Sequence, residues 1–440
     1  MRIYKITLLL AMLITTSFTY GAYKESMKRT YKTSSVKDYG MHSDSVRDQS
    51  AQLQTAINSV SKSGGGKLVI PKGVYCFSSV KMASNVHLLV DKDAILKPYW
   101  GKARKVIMLN FSTQNEKVEG YIENCSIRCL QEGETYTVDY SDKNPFEKWG
   151  VRFIRNGQVK NFLVADANIK DNYTTYCGII FSPSSNKSST SWEIARPTDG
   201  TIINCSIDKA SAGYGLCQLH GAERIHFEDI YAYGGITLRL ESGAGGPCLG
   251  VYDITGANIK NECGACAVLM APHCANNGTV TLKGVYSKSS AWCVSVGSGF
   301  IDKKNIDNPN AKLGRFADDS VISDIHAVYG EEAQVGTNSL DYYNKDQYSL
   351  LYENCVCDDS KTVVGPSIAA INNSASGSYN VTFKNISSEG FTYNKDKILK
   401  STKSVNGKKN WALLKSIPVQ KGKYTEENLR LKSEAKVKSF

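Results

Sequence analysis

Ile202-Ile203-Asn204-Cys205-Ser206-Ile207 repeats Ile122-Glu123-Asn124-Cys125-Ser126-Ile127 almost residue for residue, and looser copies run through the rest of the chain. They stand at Ile225-His226-Phe227-Glu228-Asp229-Ile230, Val251-Tyr252-Asp253-Ile254 and Val280-Thr281-Leu282-Lys283-Gly284-Val285. Others follow at Val321-Ile322-Ser323-Asp324-Ile325, Leu351-Tyr352-Glu353-Asn354-Cys355-Val356 and Val381-Thr382-Phe383-Lys384-Asn385-Ile386. Each copy pairs short alternating strands with an Asn, Asp or Gly turn. From the second copy on, the spacing is mostly about 22 to 40 residues, the range of solenoid repeats. One coil alone cannot bury its apolar stripe, whereas stacked coils share a core and pair backbone groups with the coil above or below. The pattern predicts an all-β chain, with residues 35–395 forming one coiled, parallel domain.

Upstream of the repeats, Val36-Lys37-Asp38-Tyr39-Gly40 reads as a short strand and turn. Residues 48–61 have helical spacing, with Leu53, Ala56, Ile57 and Val60 on one face, and are followed by Gly64-Gly65-Gly66. Strands are expected in residues 67–75 and 86–90. This order resembles the start of right-handed parallel β-helices of the pectin-lyase-like group, where the helix closes the open end of the core. The expected fold is therefore an all-β, right-handed parallel β-helix (a solenoid) with an N-terminal capping helix and long loops, such as 131–149 and 300–315. That group hosts many activities, so the fold alone assigns none.

Residues 1–22 read as a secretory signal: Arg2 and Lys5 come first, residues 8–16 are apolar, and Tyr20-Gly21-Ala22 offers small residues for cleavage. The apolar run is too short to span a bilayer, so a secreted or periplasmic protein is expected, with no membrane partner. Formal charge is +11, from 53 basic and 42 acidic residues. Nucleic acid, a membrane surface and an acidic polysaccharide are the anionic partners this admits. No basic helix, zinc-finger spacing or RNA-binding aromatic motif is present, which argues against nucleic acid. Much of the excess charge lies in residues 396–440, a Lys-rich segment without the repeat. The 13 cysteines read mainly as small core residues, for instance Cys205, Cys217 and Cys293. Cys263-Gly264-Ala265-Cys266, followed by His273-Cys274, is a weak metal or redox signal without a second motif.

The chemistry is expected around Gly234-Gly235-Ile236-Thr237-Leu238-Arg239-Leu240-Glu241-Ser242-Gly243. Its alternation places Ile236, Leu238 and Leu240 inward and Thr237, Arg239 and Glu241 outward. Coils of about 23 to 30 residues would stack equivalent strands at roughly 4.8 Å. Gln218 and His220 then lie one coil before Glu241, and His273 lies near the end of the next apolar run. Further on, Glu332 and Gln334 share one strand face. Glu, His, Gln and Arg on one open sheet face suit a polysaccharide cleft, with sheet as floor and loops as walls.

Gln218-Leu219-His220-Gly221, the stretch Gly234 to Glu241, Ala271-Pro272-His273 and Tyr329-Gly330-Glu331-Glu332-Ala333-Gln334-Val335 together resemble the iota-carrageenase family, glycoside hydrolase family 82. The resemblance covers roughly residues 150–340. It implies an endo-acting hydrolase that cuts β-1,4 bonds of a sulfated red-algal galactan with inversion. It matches Glu241 to the general acid, Gln218 and His273 to the catalytic centre, and Arg239 to a basic residue near substrate, with His220 beside them as a substrate-binding candidate. A monomer is expected, with no cofactor and no metal in the site, and a structural Ca2+ or Na+ and a bound chloride are compatible with that expectation.

One departure stands out. The family pattern has an aspartate base two residues after the acid, and here that position is Gly243. An inverting hydrolase needs a second carboxylate, for which Asp302, Glu331 and Glu332 are candidates. The rivals are a polysaccharide lyase on the same fold and a non-catalytic glycan-binding β-helix. An acidic Ca2+ cluster and the polygalacturonase signatures are not evident, and Asp318-Asp319 stands in another context.

Overall fold

The computed structural model describes residues 22–400, apart from 117–119, 144–146, 184–194, 243–248, 302, 304, 310 and 354–361. The expected signal, nearly all of the Lys-rich tail, Gly243 and Asp302 lie outside the described residues. A sheet of 24 strands makes up the body, and its strand pairings are parallel. It runs from Thr33–Ser35 to Ile398–Leu399, slightly beyond the expected limits. Each coil pairs with the next, giving the right-handed parallel β-helix anticipated from the repeats.

The turn residue of the recurring phrase explains the bend in each coil. Asn124, Asn204, Asp229, Asp253, Asp324 and Asn385 all have φ between 49° and 57°, and Gly284 has φ 70°. Asn and Asp tolerate this left-handed geometry better than other side chains because their short polar groups bond locally. They also bond between coils: Asn161 Nδ2 donates to Asn124 Oδ1 at 2.8 Å, and Asn204 Nδ2 to Asp166 Oδ1 at 2.9 Å. Between the coils, Cys125, Cys205, Cys217 and Cys293 fill the core with Ile202, Phe227, Leu238 and Val294.

The helix Ser50–Lys62 buries Leu53, Ala56, Ile57 and Val60 over the first coils, as the spacing predicts. Three local expectations are corrected. Val36–Tyr39 is a 3-10 turn, because Ser35 and Asp38 form a capping box there. Within 131–149, Tyr136–Asp139 is a strand, paired with Ile95-Leu96 below and with Ala167–Lys170 above. The copy starting at Leu351 is no coil: Tyr352–Glu353 joins Ala333–Gly336 and Thr362–Gly365 in a separate antiparallel sheet of three strands.

That small sheet, with the 3-10 turns Thr337–Tyr342 and Lys345–Leu350, belongs to an excursion over residues 329–368. It leaves the solenoid at a corner that lower coils turn in a few residues, Gly234-Gly235 in one coil and 263–265 in the next. Its apolar side, including Val335, Leu340 and Tyr343, sits on Ile236, Cys266, Trp292 and Ala369, which occupy one rung of consecutive coils. Strict alternation therefore fails at the start of this strand. Ile236 faces out beneath the excursion, and Thr237 is buried, donating to the Lys260 carbonyl at 2.7 Å. Leu238 and Leu240 do point into the core. The coils above repeat the two consecutive inward residues, as Ala267-Val268 and Cys293-Val294.

Candidate active site

Arg239 and Glu241 project from the last rungs of the strand Ala222–Glu241, just before the chain enters the loop that follows. Register places Gln218 directly below Arg239, and Leu240 beside Leu219, so His220 lies under Glu241. On the coil above, Ala271 pairs with Glu241 and the chain turns immediately. His273, with φ 44°, swings back over the carboxylate from that turn. Its carbonyl accepts from the Phe300 and Gly314 amides at 2.7 and 2.9 Å, tying the turn to the long loop beyond the next coil. The short sheet limb is thus a floor, with loops along one edge and the excursion along the other.

Four side chains converge on Glu241. Arg239 Nη2 donates to Oε1 at 2.7 Å, and Gln218 Nε2 to Oε2 at 2.7 Å. His273 Nε2 lies 3.4 Å from Oε1, and His220 Nε2 lies 4.0 Å from Oε2. Arg239 is itself aimed by a bond from Nη1 to the Gly213 carbonyl. All five expected site residues therefore meet in one place. Gln218 Oε1, Arg239 Nε and His273 Nδ1 are buried and have no partner among the described residues. Buried polar atoms of this kind are satisfied by water or by a bound ligand.

Burial pushes the Glu241 carboxyl up, but the His273 bond, the Arg239 guanidinium and the Gln218 bond outweigh it and hold it at about 2. Burial depresses His220 to about 4, against the pull of the Glu241 charge. Near neutral pH, then, the carboxylate is ionised and His220 is neutral.

Two of the candidate bases, Glu331 and Glu332, lie away from Glu241. Gln334 is buried at the opposite end of the limb, its amide bridging the Gly235 N–H and the Ala210 carbonyl. Gly235 is six residues from Glu241, or about 20 Å of extended strand. Glu332, whose N–H donates to Ser289 Oγ, shares that far corner, and Glu331 adjoins it. Neither can act as a base beside Glu241. Of the Cys263–Cys266 pair, Cys266 packs in the apolar cluster under the excursion.

Residues 33–291 match the model of rhamnogalacturonase A/epimerase, pectate lyase-like proteins. The chain belongs to that family. It is 34% identical over 283 residues to an iota-carrageenase of Zobellia galactanivorans, covering 62% of this chain and 54% of the relative. An iota-carrageenase of Alteromonas macleodii is 32% identical over 272 residues, covering 61% and 53%. The chain spans about half the length of the curated relatives it matches. Among solved structures, a 1,3-α-1,4-β-D-galactose-4-sulfate-3,6-anhydro-D-galactose-2-sulfate 4-galactohydrolase superposes with a TM-score of 0.75 at 25% identity, covering 86% of this chain and 92% of that one. An iota-carrageenase complexed to iota-carrageenan fragments gives 0.75 at 23% identity, over 87% and 93%.

Phe300 escaped the sequence reading. Its ring centroid lies 4.3 Å from that of His273 and 46% of the residue is exposed, so it forms the outer wall of the site. An aromatic residue in a loop carries no periodic signal, and only the fold brings it here.

The depressed groups set the acid stability. His220 and His87, both held at about 4, are neutral when folded and take up protons when unfolded, so their contribution to stability falls as pH drops from about 6.5 to 4, offset in part by buried Asp171, which is raised to about 7. Glu241 adds a second loss as pH falls from about 4.5 to 2, because its folded value lies below its unfolded one. Chemical unfolding across this range should show both phases, with the lower one diminished in Glu241→Gln.

Proposed function

We propose that the protein is an endo-acting glycoside hydrolase that cuts β-1,4 bonds of a sulfated galactan of the iota-carrageenan type, with Glu241 as proton donor. The observation that carries this reading is the convergence of Arg239, Gln218, His273 and His220 on one carboxylate in the floor of a trough. The likeness to iota-carrageenases supports the substrate class, and inversion is proposed on the same ground. The apolar stretch 8–16 supports export. Among the described residues no helix is long and apolar enough to cross a membrane, and no group of three or more His, Cys, Asp or Glu is arranged for a metal.

Cleavage needs a proton on a poor leaving oxygen, an effect worth about 10²–10⁴-fold. Its neighbours hold Glu241 ionised, so it must gain its proton as substrate enters. Sulfate esters compete for the Arg239 guanidinium, and with that cation drawn away the burial of Glu241 raises its carboxyl. Gln218 Oε1 and His273 Nδ1 then offer an acceptor and a ring nitrogen to a water held beside it. Gly243 and the depressed carboxyl favour a second reading, a β-helix that binds glycan without cutting it.

Incubation with iota-, kappa- and lambda-carrageenan separates the readings. New reducing ends are expected, with iota-carrageenan the preferred substrate and no rise in absorbance from unsaturated ends. Unsaturated products would mean a lyase, and binding without reducing ends would mean a binding protein.

A further inference from the structure

Arg152 stands three residues before Arg155 on the strand Gly150–Asn156, just as Ile236 stands three before Arg239. Strand register connects the two positions, since Arg155 lies beside Ile180, Ile180 beside Gln218 and Gln218 beside Arg239. Arg152 therefore occupies the rung that is apolar in higher coils, where the excursion roofs it. In its own coil the rung carries a guanidinium.

That guanidinium is half-buried, and its Nη1 is fully enclosed without a partner. It forms no hydrogen bond or ion pair with any described residue. Its neighbours differ: Arg155 pairs with Glu116, Arg104 with Glu147 and Arg239 with Glu241. Among the described residues the charge that bears on it most is the cation of Arg155 on its own strand, and Lys105 Nζ lies 5.8 Å from the centroid of the ring it shares.

That ring is Tyr176, whose centroid lies 4.5 Å from the guanidinium carbon. Tyr176 has φ 89°, a left-handed geometry a bulky residue adopts only when its surroundings impose it. A β-carbon at Gly150 would sit 2.5 Å from the ring, so the glycine makes the space that holds it over Arg152. Tyr214 packs edge-on against Tyr176 with centroids 5.8 Å apart, and the adjacent Gly213 carbonyl is the acceptor that aims Arg239. The charge of Arg152 also bears on His220. A contiguous floor thus links Arg152 to Glu241. A cation enclosed without a counter-charge is expensive, and an oxyanion that fills the guanidinium fork removes that expense.

We propose that Arg152, braced by Tyr176, is a specificity-determining subsite for a sulfate ester of the galactan, distal to the bond that is cut. This rests on the hydrolase reading above. The experiment compares wild type with Arg152→Met, which keeps side-chain length, and Arg152→Lys, which keeps charge. On sulfated iota-type galactan the Met variant should raise KM roughly tenfold while kcat stays within about twofold, with partial recovery in the Lys variant. Binding of desulfated oligosaccharide should be unchanged, and the ligand-free Met variant should melt no lower than wild type, since an unpaired charge has been removed.

Equal loss of affinity for sulfated and desulfated oligosaccharides, no change in either, or a melting temperature that drops without ligand would overturn the proposal in favour of a packing role. Protection of wild type by inorganic sulfate, with sulfation of the galactan making no difference, would overturn it in favour of a free-anion site. If wild type releases no reducing ends from any sulfated galactan, the hydrolase reading fails, while the oligosaccharide-binding comparison still decides the role of Arg152.

Discussion

Glu241→Gln is expected to lower kcat on sulfated galactan by about 10³-fold, within the range that loss of a positioned acid produces, while leaving KM nearly unchanged. The amide is isosteric and still offers an oxygen to Gln218 Nε2, which now donates at 2.7 Å. It cannot supply the proton. The substitution also leaves Arg239, whose side chain is 16% exposed, without its counter-charge, so the melting temperature should fall. Circular dichroism of the variant at assay temperature separates lost chemistry from lost fold. A folded variant with an unchanged rate would mean that the proton comes from elsewhere.

Arg239→Gln tests how an ionised carboxylate becomes an acid. Removing the guanidinium removes the second-largest influence that holds Glu241 down, so its carboxyl should rise toward the ordinary range. The pH profile of kcat/KM reports the free enzyme, and that of kcat the bound complex. With wild type and sulfated substrate, the carboxyl governing kcat should titrate higher than the one governing kcat/KM. In Arg239→Gln the two should converge, and kcat/KM should fall on the order of tenfold to hundredfold through the lost sulfate contact. Coincident profiles in wild type would show that substrate does not retune the acid.

Much of this could be read before any coordinates. In six of the recurring phrases the Asn or Asp is the left-handed corner of its coil, a local requirement that leaves a local mark. Leu53, Ala56, Ile57 and Val60 likewise announce the capping helix. Gln218, Arg239, Glu241 and His273 were legible as a group because coil length converts sequence separation into stacking. What failed depended on something distant. Ile236 and Thr237 broke the alternation because a segment about 100 residues later roofs that rung. The phrase at Leu351 had the right letters but belongs to that roof. Glu331 and Glu332 were plausible bases until the register put them at the opposite end of the limb. Burial and cations at Glu241 were both foreseeable, but which prevails depends on distances that no sequence spacing contains.

The excursion over residues 329–368 shares no strand with the floor it covers, since its three-stranded sheet is separate from the 24-stranded one. Among the described residues it is attached by the apolar row Ile236, Cys266, Trp292 and Ala369, by the Gln334 bonds to Gly235 and Ala210, and by the two ends where the chain departs and returns. Such a part behaves as a cassette. Descendants of this chain can lengthen, shorten or exchange it, and so widen or narrow the groove for new polymers, while the reacting groups keep their spacing.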